Sequence, residues 1–383
     1  MDQPEIKIED LLVRPWQADD APAVFEACQD PEIQRWTPVP RPYEMRHAVG
    51  FIADVAPTHW ANRTGAHFGV FDIASGELLG SMALVRLDLT DRTAELGYWT
   101  TAAARGRGVA TGAGRALSAW ALDRLEVERL VWRADVGNHA SRLVARRIGF
   151  VMEGTERGGL TAGNGIPGRL DGWVGSIRPG DVTMITPAHL GPGSVAALRA
   201  RTFGAPIPTL PIDGGSLRPH TDDDIDAVVR ACRDPETTRW TTVPLDYQRS
   251  DAEHYVRDYA VAEWRQGEAA KFVIADETGA YAGGVDLRIS TIDGEVGEIG
   301  IHVAPWARGK GLGRSAGRTV SNWGFDALGL ERIIWRAHVG NEGSRRAAEA
   351  AGFVAEGIQR AGCPQRGERR DAWVGAKLAS DPR

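Results

Sequence analysis

The sequence contains Arg-Gly-Lys-Gly-Leu-Gly at residues 308–313 and a similar stretch, Arg-Gly-Arg-Gly-Val-Ala, at residues 105–110. Glycines at alternate positions let the backbone turn tightly, so that several N–H groups face one way. Apolar residues recur at helical spacing after each stretch, which predicts that each loop opens a helix and adds the positive end of its dipole. Both stretches are therefore predicted to cradle a phosphorylated ligand.

The spacing of the glycines excludes two other kinds of phosphate loop. A nucleoside-triphosphate loop needs Gly-Lys followed by Ser or Thr, but Lys310 is followed by Gly311. A dinucleotide fingerprint needs G-x-G-x-x-G, whereas Gly309, Gly311 and Gly313 are evenly spaced and Gly108 has no third partner. The pattern that remains is Arg-x-x-Gly-x-Gly/Ala.

An internal repeat of about 200 residues organises the whole chain. Residues 129–138, RLVWRADVGN, return as RIIWRAHVGN at residues 332–341. The Asp-Pro-Glu segment and its tryptophan at residues 30–36 return at residues 234–240. A period this long is too large for a solenoid, so the repeat indicates a duplicated domain.

A segment rich in proline and glycine separates the two copies. Residues 179–213 match neither copy, which predicts a linker that carries one short helix over residues 194–203. The predicted domains are therefore residues 1–178 and residues 214–383.

Composition excludes several classes of protein. The 383 residues are 43% hydrophobic and 25% charged, with a net charge of −6 and a pI near 5.9, so no basic footprint for nucleic acid exists. No apolar run is long enough for a membrane span or a signal peptide, and a cytoplasmic protein is expected. The three cysteines, Cys28, Cys232 and Cys363, form neither a disulfide framework nor a zinc spacing, so no metal is expected.

Each half has the same predicted order of elements. A strand ending in Arg-Pro leads into two helices, three strands, the glycine loop with its helix, and then strand, helix and two strands. This order predicts an α/β fold in which each domain is a mixed, mostly antiparallel sheet flanked by helices.

Several motifs resemble the GNAT superfamily of coenzyme-A-dependent N-acyltransferases. The resemblance lies in Glu298–Gly313 (Glu-Ile-Gly-Ile-x-Val-x-Pro-x-x-Arg-Gly-Lys-Gly-Leu-Gly) and in Asn341, Ser344 and Gly352-Phe353. The early Asp-Pro-Glu…Trp segment and a late Asp before the final strand are similar to its branch of ribosomal-protein N-terminal acetyltransferases. Both halves carry the resemblance, which implies two tandem GNAT-like domains.

The resemblance also implies a cofactor and its contacts. Acetyl-CoA would lie where the fourth and fifth strands splay apart, with its pyrophosphate on the glycine loop. The two asparagines of this set are equally well explained as helix N-caps, and both roles can coexist. The implied cofactor-binding residues are Trp99, Thr100, Arg105, Gly106, Arg107, Gly108, Val109, Ala110 and Asn138 in the first half, and His302, Val303, Arg308, Gly309, Lys310, Gly311, Leu312, Gly313 and Asn341 in the second.

Candidate catalytic groups follow from what amine acylation requires. Glu95 and Glu298 lie at the same point of the strand that feeds each loop and are candidate bases, although each could instead tie down a neighbouring arginine. The tyrosine that many relatives place seven residues after the helix asparagine is replaced by alanine in both halves. Ser141 and Ser344 are therefore candidate proton donors, with a local capping role as the alternative.

Trp36 and Trp240 fall where the family builds the wall of the acceptor site, with core packing as the alternative. The function predicted is acetyl transfer from acetyl-CoA to a primary amine, either a peptide α-amine or a small-molecule amine. The alternatives are an acyl-CoA-binding protein in which one or both halves are degenerate, and a transferase that uses another acyl or aminoacyl donor. A monomer that imitates the dimer of single-domain relatives is compatible with the repeat.

Overall fold

The computed structural model describes residues 3–162 and 168–383 and divides the chain into two compact units, Met1–Ala197 and Leu198–Arg383. Each unit contains an eight-stranded mixed sheet with flanking helices. The predicted α/β class with two tandem domains is confirmed.

The sheet of the first unit has the strand order β1-β2-β3-β4-β5-β6-β8-β7. A π-helical turn, Phe51–Val55, joins α3 to α4. The elements are β1 Ile6–Ile8, β2 Leu11–Pro15, α1 Ala21–Ala27, α2 Pro31–Trp36, α3 Met45–Gly50, α4 Ala56–Ala61, β3 Ala66–Asp72, β4 Leu78–Asp88, β5 Thr93–Thr100, α5 Val109–Arg124, β6 Arg129–Asp135, α6 His139–Ile148, β7 Val151–Thr161 and β8 Arg169–Ile177.

The second unit repeats this plan with the order β15-β16-β14-β13-β12-β11-β10-β9. A π-helical turn, Tyr255–Tyr259, again joins the paired helices α10 and α11. The elements are β9 Leu210–Ile212, β10 Gly215–Arg218, α8 Ile225–Cys232, α9 Pro235–Trp240, α10 Arg249–His254, α11 Ala260–Gln266, β11 Ala269–Asp276, β12 Tyr281–Ile289, β13 Val296–Val303, α12 Leu312–Leu328, β14 Arg332–His338, α13 Glu342–Ala350, β15 Val354–Gln365 and β16 Glu368–Leu378.

The only parallel strand pair described in each sheet is short and then opens. β5 pairs with β6 from Thr93 to Glu95, and β13 pairs with β14 from Val296 to Ile299. Past Glu95 and Ile299 the two strands have no ladder partner on that side. We call this opening the strand fork, and it is the feature of the fold that positions the site.

Apolar residues cover both faces of each sheet and hold the fork in place. Leu96 of β5, Leu117 of α5 and Leu130 of β6 are fully buried in one cluster. Burying each leucine contributes about 2 to 3 kcal/mol, so the helix that follows the glycine loop is fixed firmly against the two strands of the fork.

Residues 179–213, the predicted linker, are divided between the units. Thr183 donates its N–H to the carbonyl of Ile148, and Leu190 is buried against the first unit. Helix α7, Val195–Gly204, confirms the short helix that the sequence predicts, and its Phe203 belongs to the core of the second unit. The predicted domain limits, residues 1–178 and 214–383, stay a prediction.

The final hairpin of each unit is longer than the sequence indicates. β7 and β15 extend to Thr161 and Gln365, whereas the sequence predicts a strand over residues 150–153 in the first half. Most of their side chains are exposed on both faces, so no apolar alternation signals them.

Candidate functional site

The two glycine loops have the backbone conformation that their sequences predict. Gly106 and Gly108 have φ of +76° and +84°, and Gly309 and Gly311 have φ of +77° and +80°. Residues other than glycine rarely adopt these φ angles. A Cβ on Gly108 or Gly309 would meet no atom within 4 Å, so glycine is required by the backbone angle while the loop surface stays open.

Each glycine loop leads into a helix whose N-terminus has no cap from a described side chain. Gly108 and Gly311 are the N-cap residues of α5 and α12. The first-turn N–H groups are therefore available, together with the positive end of the helix dipole. Arg107 and Lys310 are exposed beside them. This is the chemistry that a diphosphate requires, so the loops fit the cofactor that the resemblance implies.

The first arginine of each loop is tied to the helix of the Asp-Pro-Glu segment. Arg105 forms an ion pair with Asp30 at 3.0 Å, and Arg308 donates to Asp234 and to Thr237. Burial alone would raise the pKa of Asp234, but hydrogen bonds from Arg308 and from Thr237 outweigh it, so the pKa is lowered. These guanidinium groups fix the loops to α2 and α9, a link that sequence analysis missed although both segments recur in both halves.

Ala110 and Gly313 occupy equivalent positions in the two units, and the strand residue beneath each of them also differs. A Cβ on Gly313 would lie 3.1 Å from Cγ2 of Val303. In the first unit Thr100 replaces that valine, and Ala110 occupies the helix position.

Beyond the fork, residues 96–100 and 300–303 face the opening with an edge that lacks a strand partner. Trp99, Thr100, His302 and Val303 lie on these edges. Unpaired backbone N–H and C=O groups on a strand edge can pair with an extended chain. The amide-bearing arm of coenzyme A is such a chain, so these edges fit it too.

Asn138 and Ser141 form a hydrogen-bonded group at the start of α6. Oδ1 of Asn138 accepts from the N–H of Ser141 at 3.1 Å, which confirms its role as an N-cap. Trp132 donates to Oγ of Ser141 at 3.0 Å, and that hydroxyl donates to Oη of Tyr98 at 3.0 Å. The hydrogen of Ser141 is therefore already engaged.

The second unit repeats this group with one change. Asn341 caps α13 through the N–H of Ser344 at 3.1 Å, and Trp335 donates to Oγ of Ser344 at 3.0 Å. Ile301 stands where the first unit has Tyr98. Among the described residues no acceptor therefore takes the hydroxyl hydrogen of Ser344, which remains available to the fork.

Each candidate base is bound to arginine through one oxygen. Oε2 of Glu95 accepts from Arg86 at 2.8 Å and from Arg133 at 2.7 Å. Among the residues that the structure describes, Arg336 alone donates to Oε2 of Glu298, at 3.0 Å. The Glu298 side chain is 37% exposed and the Glu95 side chain 14%, so the glutamate of the second unit is the more accessible.

His302 is held beside the second fork as a neutral side chain. Its Nε2 lies 2.8 Å from Oη of Tyr281. Burial, assisted by the charge of Arg308, lowers the pKa of His302 to about 4, so the ring carries no charge near pH 7.

Trp36 and Trp240 are both half-buried beside an arginine. Arg239 lies 4.7 Å from the ring of Trp240, which also contacts His338 edge-on at 6.4 Å. The tip of the β15–β16 hairpin reaches the same place, because Gln365 donates to backbone carbonyls of residues 239 and 241. Trp240 therefore lies between the end of β14 and the hairpin. Arg35 lies 4.4 Å from the ring of Trp36.

Parts of the sequence are similar to two acetyltransferases. The chain is 41% identical over 101 residues to YdaF, a candidate ribosomal N-acetyltransferase of Bacillus subtilis (strain 168); the match covers 26% of this chain and 54% of that protein. It is 36% identical over 78 residues to the ribosomal-protein-serine acetyltransferase of Escherichia coli (strain K12), which covers 20% of this chain and 44% of that protein. The matches thus span about half the length of these relatives.

A solved structure of a candidate ribosomal-protein-serine acetyltransferase from Vibrio cholerae matches 46% of this chain and 97% of its own, with 26% identity and a TM-score of 0.42. The model of the acetyltransferase (GNAT) domain matches residues 10–151 and 216–354, which together exceed half of the chain. Each matched stretch includes the glycine loop, the strand fork and the helix asparagine of its unit. The chain belongs to the GNAT acetyltransferase family.

Proposed function

We propose that this protein is an N-acetyltransferase that transfers an acetyl group from acetyl-CoA to a primary amine. The observation that carries the proposal is the strand fork that ends on a glycine loop and an uncapped helix, present in both units. Family membership supports the reaction class, although a fold alone does not fix chemistry.

Coenzyme A would be held by backbone groups in each unit. The N–H groups of residues 106–110 and 309–313 would bind the diphosphate, and the open edges of β5 and β13 would bind the pantetheine arm. When bound, acetyl-CoA supplies the acetyl group as a thioester whose thiolate can leave.

The protein's own task is to handle protons. A peptide α-amine, with a pKa near 7.7–8.0, is partly neutral at physiological pH, whereas a lysine amine near 10.4 needs more help. In the second unit Oε1 of Glu298 would accept the amine proton, and Oγ of Ser344 would donate a proton to the leaving thiolate. Glu95 and Ser141 are the corresponding groups of the first unit, but both are more fully engaged.

We favour a protein or peptide amine as the acceptor, because two of the relatives are described as acting on ribosomal proteins. Trp36 and Trp240 would form part of the acceptor wall. A large protein acceptor needs an accessible surface. The side chains of Arg35 and Arg239 beside the two rings are more than half exposed.

The test is calorimetry of coenzyme A with the full chain, followed by a screen of amines and free-amino-terminal peptides for thiol release from acetyl-CoA. Mass spectrometry of the product then identifies the acceptor. We expect coenzyme A to bind and thiol release to require an amine. Tight binding with no release from any amine would favour the acyl-CoA-binding alternative, and no binding would overturn the proposal.

A further inference from the structure

A row of side chains crosses the sheet of the second unit on the face away from α12. Lys271 of β11 pairs with Asp286 of β12, which pairs with Gly300 of β13. Ile299 and Ile301 belong to the core or pack against it under α12. Because strand side chains alternate, Glu298, Gly300 and His302 must face the opposite way, together with Asp286.

The Asp286 carboxylate stands directly at the fork. Ile299 is the last residue of β13 that pairs with β14, so Gly300 is the first residue beyond the fork. Oδ1 of Asp286 lies 2.6 Å from the position that a Cβ on Gly300 would occupy. The carboxylate therefore fills the space above Gly300. Any larger residue at position 300 would collide with it.

This carboxylate lacks the partners that a buried charge normally has. No described donor makes a hydrogen bond to its Oδ2, which is buried, although Nε of Arg288 lies 3.3 Å away as an ion pair. Lys271 is directed instead to Glu263, at 3.6 Å. An unmade hydrogen bond to a buried charged oxygen costs stability, and such costs are typical of functional sites. The side chain as a whole is still 22% exposed, and the buried oxygen is Oδ2.

The first unit shows that the fold does not require these groups. Ala83 and His67 occupy the positions of Asp286 and Lys271 in the same row across the sheet. A Cβ on Gly97, the counterpart of Gly300, would meet no atom within 4 Å. The first unit thus leaves open the space that a carboxylate fills in the second.

We propose that Asp286 binds the ammonium group of the acceptor in the second unit and makes that unit selective for cationic amines. The inference rests on the proposed function. Oδ1, the oxygen that lies over Gly300, accepts an N–H of the bound ammonium, and Glu298 lies two residues along β13 from Gly300, about 7 Å away and on the same face. The amine is then held between the carboxylate that binds it and the carboxylate that takes its proton.

The alternative is that Asp286 only balances charge within the sheet. Burial raises the pKa of Asp286, although Arg288 and Lys271 act in the opposite direction. Burial therefore outweighs the two neighbouring cations, so the ion pair with Arg288 does not fully stabilise the ionised carboxylate. The charged or titratable groups that face it are Arg288 of β12, Lys271 of β11, Glu263 of α11, Tyr255 and Tyr259 of the π-helical turn, and Glu298 of β13.

The direct test is the aspartate carboxyl signal of Asp286 in the full chain labelled with ¹³C-aspartate. Asp286→Asn assigns the signal, and Asp286→Glu serves the same purpose if the asparagine variant does not fold. Propylammonium is the probe, and tetramethylammonium, which has no N–H donor, is the control at equal ionic strength. We expect propylammonium alone to shift the signal saturably and to lower the pKa of Asp286. An equal response to both cations, or none, would overturn the proposal.

Kinetics with the acceptor from the amine screen give a second readout. Asp286→Asn should raise the KM for the acceptor about 10- to 100-fold, the range for losing a hydrogen bond to a charged group, while the Kd for coenzyme A stays within about twofold. An unchanged KM would contradict the inference. A chain that binds no coenzyme A refutes the proposed function, whereas a failure confined to the propylammonium signal refutes only the role of Asp286.

Discussion

Arg308 donates a hydrogen bond to Asp234, the residue that caps α9, and Arg105 makes the same ion pair with Asp30 at the start of α2. The glycine loop of each unit is thereby fastened to the helix that leads to Trp36 or Trp240. The first arginine of each loop, which the sequence predicts to bind the cofactor, also holds the loop to this helix.

Breaking this link should loosen the loop without unfolding the unit. We expect Asp234→Asn to weaken coenzyme A binding by the second unit about two- to fivefold, because the pair is partly exposed and such pairs contribute little. Calorimetry measures the effect. Asp258→Asn, a change at an exposed aspartate whose side chain is 69% accessible, is the control. A loss as large as that caused by removing the loop itself would mean that Arg308 contacts the cofactor directly.

Two aspartates of the second unit should change the stability of the fold in opposite directions as pH rises. The pKa of Asp286 is raised by burial, so ionised Asp286 destabilises the fold, and that cost grows as pH rises above the ordinary carboxyl value. Asp286→Asn should therefore raise the Tm at pH 7, and the gain should vanish as pH falls below about 4. A lower Tm at pH 7 would contradict this assignment.

Asp224 is the matched opposite case. Burial alone would raise its pKa, but hydrogen bonds from Arg218 and from Thr221 lower it. Its stabilising effect is present above the ordinary carboxyl pKa and is lost as pH falls through the lowered value. Asp224→Asn should cost about 1 to 3 kcal/mol at pH 7, measured by urea unfolding, and the difference should shrink in acid. A cost that does not depend on pH would show that the charge of Asp224 is not what stabilises the fold.

The two candidate bases should differ in their effect on turnover. Glu298→Gln keeps the shape but removes the basic oxygen, and we expect kcat to fall about 100-fold with coenzyme A affinity nearly unchanged. Glu95→Gln should lower kcat less than about tenfold, because Glu95 is already bound by Arg86 and Arg133. Equal losses in steady-state assays would mean two working sites, and a larger loss for Glu95→Gln would make the first unit the main enzyme.

The division of residues 179–213 predicts where the chain can be cut. A break after Gly193 leaves Leu190 with the first unit and α7 with the second, so two cooperatively folded fragments are expected in thermal unfolding. A break after Gly204 removes Phe203 from the second core and should destabilise that fragment by about 3 to 5 kcal/mol. Fragments that both fail to unfold cooperatively after the first cut would show that the units depend on each other.

The fold was predictable because its signals are local and occur twice. The glycine pattern at residues 308–313 depends only on backbone angles, and the repeat supplies an independent copy of each motif. The pairing of Arg308 with Asp234 joins residues 74 positions apart, and no local pattern reports it. Asp286 becomes meaningful only when the strand register places it over Gly300. The long hairpins were missed because their exposed faces carry no apolar period.

The number of coenzyme A molecules bound per chain tests most directly the claim that each unit holds a cofactor site at its fork. We expect two by calorimetry, and one in either Gly108→Glu or Gly311→Glu, because a carboxylate beside a diphosphate should weaken that site about 10- to 100-fold. Gly76→Glu and Gly279→Glu are matched controls, since these turn glycines have φ of +72° and +83° with open space around the Cβ, and both should still bind two. Undiminished binding in folded Gly108→Glu and Gly311→Glu would contradict the assignment of the loops.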